Sequence, residues 1–436
     1  MAPTFVTQLF NSIADTGREL LDLRGDKKRN NSIKGLCRDL LTQKGEASGM
    51  ALARDAVAAW SVLSDKERLD FFQFLNDEMA PDQKEIEKAV AAYHKQPDAK
   101  NYKALTNAIE APRQELMRRL NFAPGGTSAI VAMRRFLVGQ LRAHPELKAV
   151  DSDLQHLLSS WFNRGFLSLE RIDWRTPAVV LEKLIEYEAV HEIDGWDDLR
   201  RRLDKDRRCF AFFHPALPDE PLIFVEVALV KGLASAIPPL LARETERGDP
   251  TKADTAIFYS ISNCQDGLKG ISFGNFLIKQ VVAELSAELP NLRHFATLSP
   301  IPGFMKWLNG ISNAVAGMHF KEVREVRDLI SKKDWQKDPK TVEKVKGPLE
   351  HLCAHYLINE KSGERPLDPV TRFHLGNGAR LEQLNWLGDD SENGMKQSAG
   401  LLVNYYYNLK DIEKNHEAYA NERKVVASSA LQSLAK

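Results

Sequence analysis

Hydrophobic positions recur every three or four residues through the first 160 residues. Leu69, Phe72, Leu75 and Met79 form one stripe, Ile130, Met133, Leu137 and Leu141 a second, and Leu154, Leu157, Leu158 and Trp161 a third. Residues at that spacing share one face of a helix, so each stripe predicts an amphipathic helix packed on its neighbours. Ser64, followed three residues later by Glu67, has the spacing of a capping box and marks a helix start. The pattern changes around Asn163-Arg164-Gly165, which places a domain boundary near residue 160. Residues 1–160 are expected to be an all-helical scaffolding and self-association domain, and residues 161–436 a second domain containing both helices and strands.

Beyond the boundary, shorter apolar runs rich in β-branched and aromatic residues predict strands at 209–213, 222–230, 256–262, 294–298 and 401–407, with a short extended segment at 166–174. Helical spacing predicts helices at 178–188, from Phe276 to Leu289, and through 320–356, where the charged run 331–346 is either a solvated helix or a loop insertion. His374 falls in a run, Phe373-His374-Leu375, expected to be a strand that ends in the turn Gly376-Asn377-Gly378. Alternation in the last strand puts Tyr405 and Tyr407 on one face and Tyr406 on the other. Residues 408–436 are expected to be helical and then frayed.

Composition narrows the class. With 436 residues, 43% of them hydrophobic and 28% charged, the chain has the apolar material of a globular protein, and two domains are expected. Lys plus Arg and Asp plus Glu each total 60, so no net charge draws the chain to nucleic acid or to a membrane surface. The basic runs Lys27-Lys28-Arg29 and Arg200-Arg201-Arg202 are expected to be solvated faces, and no apolar stretch reaches the ~20 residues that span a bilayer. Four scattered cysteines, without a CxxC pair, argue against a disulfide framework or a zinc site and suit a reducing compartment. The first residues lack the apolar core of a secretory signal, and Ser433-Leu434-Ala435-Lys436 is not a peroxisomal address, so a cytoplasmic protein is expected.

Candidate chemistry centres on residues 256–304. A predicted strand runs into Gln265-Asp266-Gly267-Leu268-Lys269-Gly270-Ile271-Ser272-Phe273-Gly274-Asn275 and then into a helix. Such a loop is able to turn amide N–H groups toward an anion such as pyrophosphate, favoured by the helix dipole, although glycine spacing alone favours an ordinary glycine-capped connection. Ser299, at the end of a strand and braced by Pro300 and Pro302, sits in a stiff loop. The G-x-S-x-G pattern of a nucleophile elbow is absent, which favours hydrogen bonding or proton exchange over acyl-enzyme formation. His374 is by default a core histidine, with Asn377 and the turn as available partners. His214, beside the proline-rich loop 214–221, is expected to cap a turn, with a catalytic role also open, and Glu226 to be paired or solvent-facing, with a substrate-facing role also open.

HPALPDEP at 214–221, FYSIS at 258–262, LSPIPGF at 298–304, FHLGNGA at 373–379 and NYYY at 404–407 occur in this order. Together they resemble the malonyl-CoA decarboxylase family over nearly all of residues 160–410 and, more loosely, the helical half. The resemblance implies an α+β architecture: an all-helical N-terminal oligomerisation domain, then an N-acetyltransferase-like catalytic domain with a mixed β-sheet flanked by helices, binding CoA at a strand-loop-helix. It implies that Lys269, Gly270, Ile271, Ser272, Phe273, Gly274 and Asn275 contact malonyl-CoA, with Gln265 and Gly267 shaping the loop. It likewise implies that Ser299 and His374 are the catalytic pair and Tyr407 a neighbour. Some relatives have a glutamate where Ser272 stands, so a Ser-His pair is implied here rather than a Glu-His one. The absence of the animal enzymes' peroxisomal signal implies a bacterial-type enzyme.

Decarboxylation of a malonyl thioester needs no metal or organic cofactor, because the thioester carbonyl accepts the electron pair as an enolate. The expected assignment has Ser299 hydrogen-bonding the carboxylate or thioester oxygen, and His374 delivering a proton to carbon with an imidazole pKa near 6.5. Tyr407 is expected to orient Ser299, and Asn377 the histidine or the substrate. A homo-oligomer, dimeric or tetrameric, is expected through the N-terminal helices. The alternatives are a CoA-dependent acyltransferase and a non-catalytic CoA-binding module; only the decarboxylase requires both Ser299 and His374.

Overall fold

A computed structural model describes residues 5–23, 32–243, 246–271, 273, 277–311 and 320–436. The chain forms two compact units. The first draws on residues 1–167, 214–218 and 265–273, and the second on 168–213, 219–264 and 274–436.

The first unit is helical. Its helices include Glu46–Ser61, Asp65–Asp77, Pro112–Asn121, Gly126–Gln140 and Lys148–Trp161. The three sequence stripes become its core: Phe72, Leu75, Ile130, Met133, Leu137, Leu154, Leu157 and Leu158 are all buried. Trp60, Phe71, Phe72 and Phe136 form an aromatic cluster, each buried ring contributing about 1.5–3 kcal/mol of transfer free energy. The capping box at Ser64 forms as its spacing predicts: Ser64 N donates to Glu67 Oε2 at 2.8 Å, and Glu67 N donates back to Ser64 Oγ at 3.4 Å.

The second unit is built on a seven-stranded mixed sheet: β1 (Ser168–Ile172), β2 (Arg207–Phe213), β3 (Ile223–Val230), β4 (Thr255–Asn263), β5 (His294–Thr297), β6 (Arg380–Asn385) and β7 (Leu402–Tyr406). Their order is β1-β2-β3-β4-β5-β7-β6. β4 and β5 run parallel, joined by the Leu277–Glu288 helix, and the other neighbouring strands pair antiparallel. The central strands β3 and β4 are rich in apolar residues and buried along nearly their whole length, as strands covered on both faces are. Ala178–Tyr187 and Gly195–Arg202 cover Cys209, Ala211 and Phe224 with Leu181, Leu184 and Leu199.

Three expectations change here. In the basic run Arg200-Arg201-Arg202 only Arg200 is exposed. Arg201 makes a two-pronged pair with Asp206, at 2.7 and 3.2 Å, while Arg202 bridges Asp198 and Glu226 at 3.1 and 3.0 Å, all of it buried. A guanidinium withdrawn from water needs such partners, and they come from the same helix, from the residue just before β2 and from β3; Glu226 is thereby accounted for as an ion-pair partner. Lys27-Lys28-Arg29 lies outside the described residues. For the charged run 331–346 the helix is the alternative that forms: the run, mostly exposed, leads into Pro339–Ile358, capped by Asp338, with Trp335 and Val345 buried. The C-terminal residues are not frayed: in the Ser429–Leu434 helix Leu431 is buried, and Leu434 O and Ala435 O are held by His351 Nδ1 at 2.7 Å and Asn359 Nδ2 at 3.1 Å. Finally, residues 369–376 are a helix, with consequences for the site.

Candidate active site

β5 delivers Ser299. Two residues past the end of the strand, Ser299 still pairs through its backbone with Val403 of β7, N–H to O at 2.9 Å and O to N–H at 3.0 Å. Pro300 and Pro302 then stiffen the turn into the Phe304–Gly310 helix. Gly303 is required there by space, because a Cβ would collide with the Tyr356 hydroxyl.

His374 comes from the last turn of the Pro369–Gly376 helix, not from a strand. Asp368 caps its start, accepting Thr371 N–H at 2.7 Å, and Pro369 occupies the first position. At its end, Ala379 N–H reaches back to His374 O at 3.0 Å and Gly378 N–H to Leu375 O at 3.0 Å, with Gly378 left-handed at φ +83°. That is a Schellman end, and it fixes His374 one turn from the stop.

The histidine is almost wholly enclosed. Its Nε2 is 3.2 Å from Ser299 Oγ, its Nδ1 is 2.8 Å from Tyr407 Oη, and its ring stacks on Tyr405 at 4.3 Å between centroids. Burial disfavours the imidazolium and lowers its pKa to about 3, so the ring is neutral at working pH. Tyr407 is buried too, and burial pushes its phenol well above the ordinary tyrosine value. The phenol therefore keeps its proton; with that proton donated to Nδ1, the imidazole proton stands on Nε2, facing Ser299. The Ser299 hydroxyl in turn donates to Thr297 Oγ1 at 2.8 Å, an oxygen that also accepts Tyr405 N–H at 3.1 Å. Tyr405 Oη meets Thr371 Oγ1 at 2.7 Å, which ties the stacked ring back to the helix that carries His374.

Among the expected site residues, Ser299, His374 and Tyr407 are thus brought together, with two changes of role. Tyr407 contacts the histidine and not Ser299, because β7 places its hydroxyl beside Nδ1. Asn377 does not orient His374: it caps the helix, its Nδ2 donating to Phe373 O at 2.9 Å, and its buried Oδ1 has no partner among the described residues. Thr297 and Tyr405 were not anticipated. Both were within reach of the period-two rule, since Thr297 lies two residues before Ser299 and Tyr405 two before Tyr407.

The loop residues Gln265, Gly267, Lys269, Gly270, Ile271 and Phe273 group with the helical unit. Lys269 and Gly270 are exposed, Ile271 and Phe273 buried, and Gln265 half-buried. Ser272, Gly274 and Asn275 lie outside the described residues. His214 caps its turn as expected: Nδ1 accepts Ala216 N–H at 3.1 Å. All four cysteines are buried and free of disulfides. Among the described residues no helix is long and apolar enough to cross a membrane.

Comparison with known proteins bears on this arrangement. The family model for the malonyl-CoA decarboxylase C-terminal domain matches residues 165–436, and that for the N-terminal domain residues 79–162. The mitochondrial malonyl-CoA decarboxylase of Anser anser anser is 40% identical over 343 residues, 73% of this chain and 68% of that protein. The crystal structure of malonyl-CoA decarboxylase from Rhodopseudomonas palustris is 50% identical and superposes with a TM-score of 0.88, covering 92% of this chain and 98% of the other. That from Agrobacterium vitis is also 50% identical, with a TM-score of 0.87 and coverage of 93% and 99%.

Proposed function

The chain belongs to the malonyl-CoA decarboxylase family and is a carboxy-lyase, and from that premise we propose that Ser299 and His374 carry the reaction from malonyl-CoA to acetyl-CoA and CO2 without a metal or organic cofactor. The observation that carries the proposal is the buried hydrogen-bonded series Tyr407–His374–Ser299–Thr297.

Loss of CO2 leaves the electron pair of the broken C–C bond on the α-carbon, delocalised onto the thioester oxygen as an enolate. The site has to hold the carboxylate out of the thioester plane, donate hydrogen bonds to the developing enolate oxygen and deliver one proton to carbon. Ser299 O–H gives that proton. His374 Nε2–H stabilises the alkoxide left on Oγ through its hydrogen bond, and Tyr407 O–H holds Nδ1 as the acceptor, so the imidazole stays neutral. Each turnover consumes one proton, which solvent returns to the series when product departs. A buried neutral imidazole suits this work because it accepts at one nitrogen while giving at the other, with no full positive charge in a low-dielectric site. This differs from the expected imidazolium acid of pKa near 6.5. Thr297 and Tyr407 are positioning residues, one holding the serine hydroxyl and the other the histidine tautomer. The open Oδ1 of Asn377 is assigned to a donor on the substrate.

The loop 265–275 is assigned to the CoA moiety of malonyl-CoA, and the chain's division is proposed as an oligomerisation domain at 1–160 and a catalytic domain at 161–436. Exposed Val62, Tyr102, Ile109 and Phe122 on the helical unit support homo-oligomerisation through its helices. Four buried, unpaired thiols support a cytoplasmic location.

The test is to incubate the purified full-length protein with malonyl-CoA in the presence of a chelator and follow acetyl-CoA and CO2. Wild type should form both, and Ser299→Ala and His374→Ala should lose about 10²–10⁴-fold in kcat, the usual worth of positioned acid–base groups. Full turnover in either variant would overturn the Ser-His assignment, and dependence of the wild type on added metal would overturn the cofactor-free one.

A further inference from the structure

The loop assigned to CoA is held by a buried arginine of the helical unit. Arg134, 2% exposed on the Gly126–Gln140 helix, donates from Nη1 to Gly267 O at 2.8 Å and to Lys269 O at 2.9 Å. Its Nε donates to Asp151 Oδ1 at 2.8 Å, which fixes the guanidinium plane. From the following helix, Lys148–Trp161, Gln155 Nε2 donates to the next carbonyl, Gly270 O, at 3.1 Å. The loop backbone runs directly against the first of these helices: a Cβ at Gly267 would collide with Val131 O. Gly270 turns the chain with φ +81°, and beyond that turn the side chains of Ile271 and Phe273 are buried and anchor the loop.

A chain segment that receives a diphosphate must keep its carbonyl oxygens, which repel the anion, turned away from it. Here three carbonyls, of residues 267, 269 and 270, are taken up by two side chains of the helical unit, and a guanidinium is the group able to engage two of them and a carboxylate in one plane. We propose that Arg134, set by Asp151 and seconded by Gln155, is the positioning group that preorganises this loop for the pyrophosphate of the CoA substrate. The inference rests on the assignment of loop 265–275 to CoA, and goes beyond it by placing the determinant of affinity on helices that contribute no residue to the loop itself.

The experiment compares malonyl-CoA with malonyl-pantetheine, which carries the same reacting group without the phosphates or the nucleotide. Full-length wild type, Arg134→Met, Arg134→Lys and Gln155→Ala are assayed with both. A loosened loop should raise KM for malonyl-CoA about ten-fold in Arg134→Met and several-fold in Gln155→Ala, tenfold corresponding to one decade of affinity. The effect should fall on KM rather than kcat, Arg134→Lys should recover part of it, and malonyl-pantetheine kinetics should stay as in wild type. Equal losses with both substrates would mark Arg134 as merely structural and overturn the inference, as would an unchanged KM for malonyl-CoA in Gln155→Ala. Should Arg134→Met fail to fold, the half-buried Gln155→Ala decides alone. A wild type that turns over malonyl-pantetheine with the KM of malonyl-CoA would overturn the underlying CoA assignment, and the inference with it.

Discussion

Ser299 Oγ and His374 Nε2 stand 3.2 Å apart although 75 residues of chain separate them. One is delivered by the end of a strand and the other by the last turn of a short helix, so the pair depends on both elements being stopped at the right residue. Each member is held by its own neighbours, and removing one neighbour at a time should have a distinct effect.

Tyr407→Phe keeps the ring beside Phe258 and removes only the hydroxyl on Nδ1. A buried ring nitrogen left without its partner costs about 1–3 kcal/mol of stability. The imidazole is then free to carry its proton on either nitrogen, so kcat should fall by about ten-fold or more, within the range of acid–base effects, while KM moves little. Thermal unfolding and steady-state kinetics on the same preparation check both parts. An unchanged kcat would remove Tyr407 from the series.

Thr297→Val keeps the shape of the side chain but deprives Ser299 Oγ and Tyr405 N–H of their shared oxygen. Loss of the hydroxyl should lower kcat and destabilise the fold by about 1–3 kcal/mol. Thr297→Ser retains the oxygen and should recover most of the rate. A Ser variant no better than Val would show that packing, not the hydrogen bond, is what Thr297 supplies.

Acid should reach this site through stability before it reaches it through titration of the free enzyme. His374 is lowered to about 3 in the folded protein, against 6.5 for an unperturbed imidazole. Between those values the unfolded chain binds a proton that the folded chain refuses, so the stability present above pH 6.5 is lost as the pH falls toward 3. Chemical denaturation across that window should show a shallower pH dependence in His374→Gln than in wild type. The pH profile of kcat/KM should have no limb near 6.5 belonging to His374; such a limb, if abolished in His374→Gln, would overturn the neutral-histidine mechanism.

Gly378→Ala should be among the more damaging single changes. Its φ of +83° lies where side chains are strained, and the added Cβ would meet the carbonyl of Ile412. Strain and overpacking together should cost at least about 1–3 kcal/mol. Because Gly378 ends the helix that carries His374, circular dichroism melts should fall alongside activity. A variant as stable as wild type would mean the helix end tolerates another conformation.

The one element mistaken in the site, the strand expected around His374, shows where reading a sequence meets its limit. Asp368-Pro369 and Gly376-Asn377-Gly378 are helix start and stop signals, and they were present in the chain. Between them Phe373-His374-Leu375 is a short apolar run, and such runs do not distinguish a buried helix from a strand. Arg200-Arg201-Arg202 failed for a different reason: the acids that neutralise Arg201 and Arg202 include Asp206 and Glu226, and no local pattern announces that β3 will lie against that helix.

What the sequence determined by itself was local and periodic. It specified the helical half, the strands at 209–213, 222–230, 256–262, 294–298 and 401–407, the cap at Ser64, and the face shared by Tyr405 and Tyr407, because side-chain direction repeats every 3.6 or 2 residues whatever lies nearby. Its ordered motifs also singled out Ser299, His374 and Tyr407. Only the tertiary structure decided that Tyr407 bonds the histidine rather than the serine, that Asn377 ends a helix, that His374 is neutral, and that Arg134 grips the glycine loop. Hydrogen-bond partners and pKa values depend on burial and on juxtapositions made across 33, 75 and 133 residues of chain, and those exist only once the chain has folded.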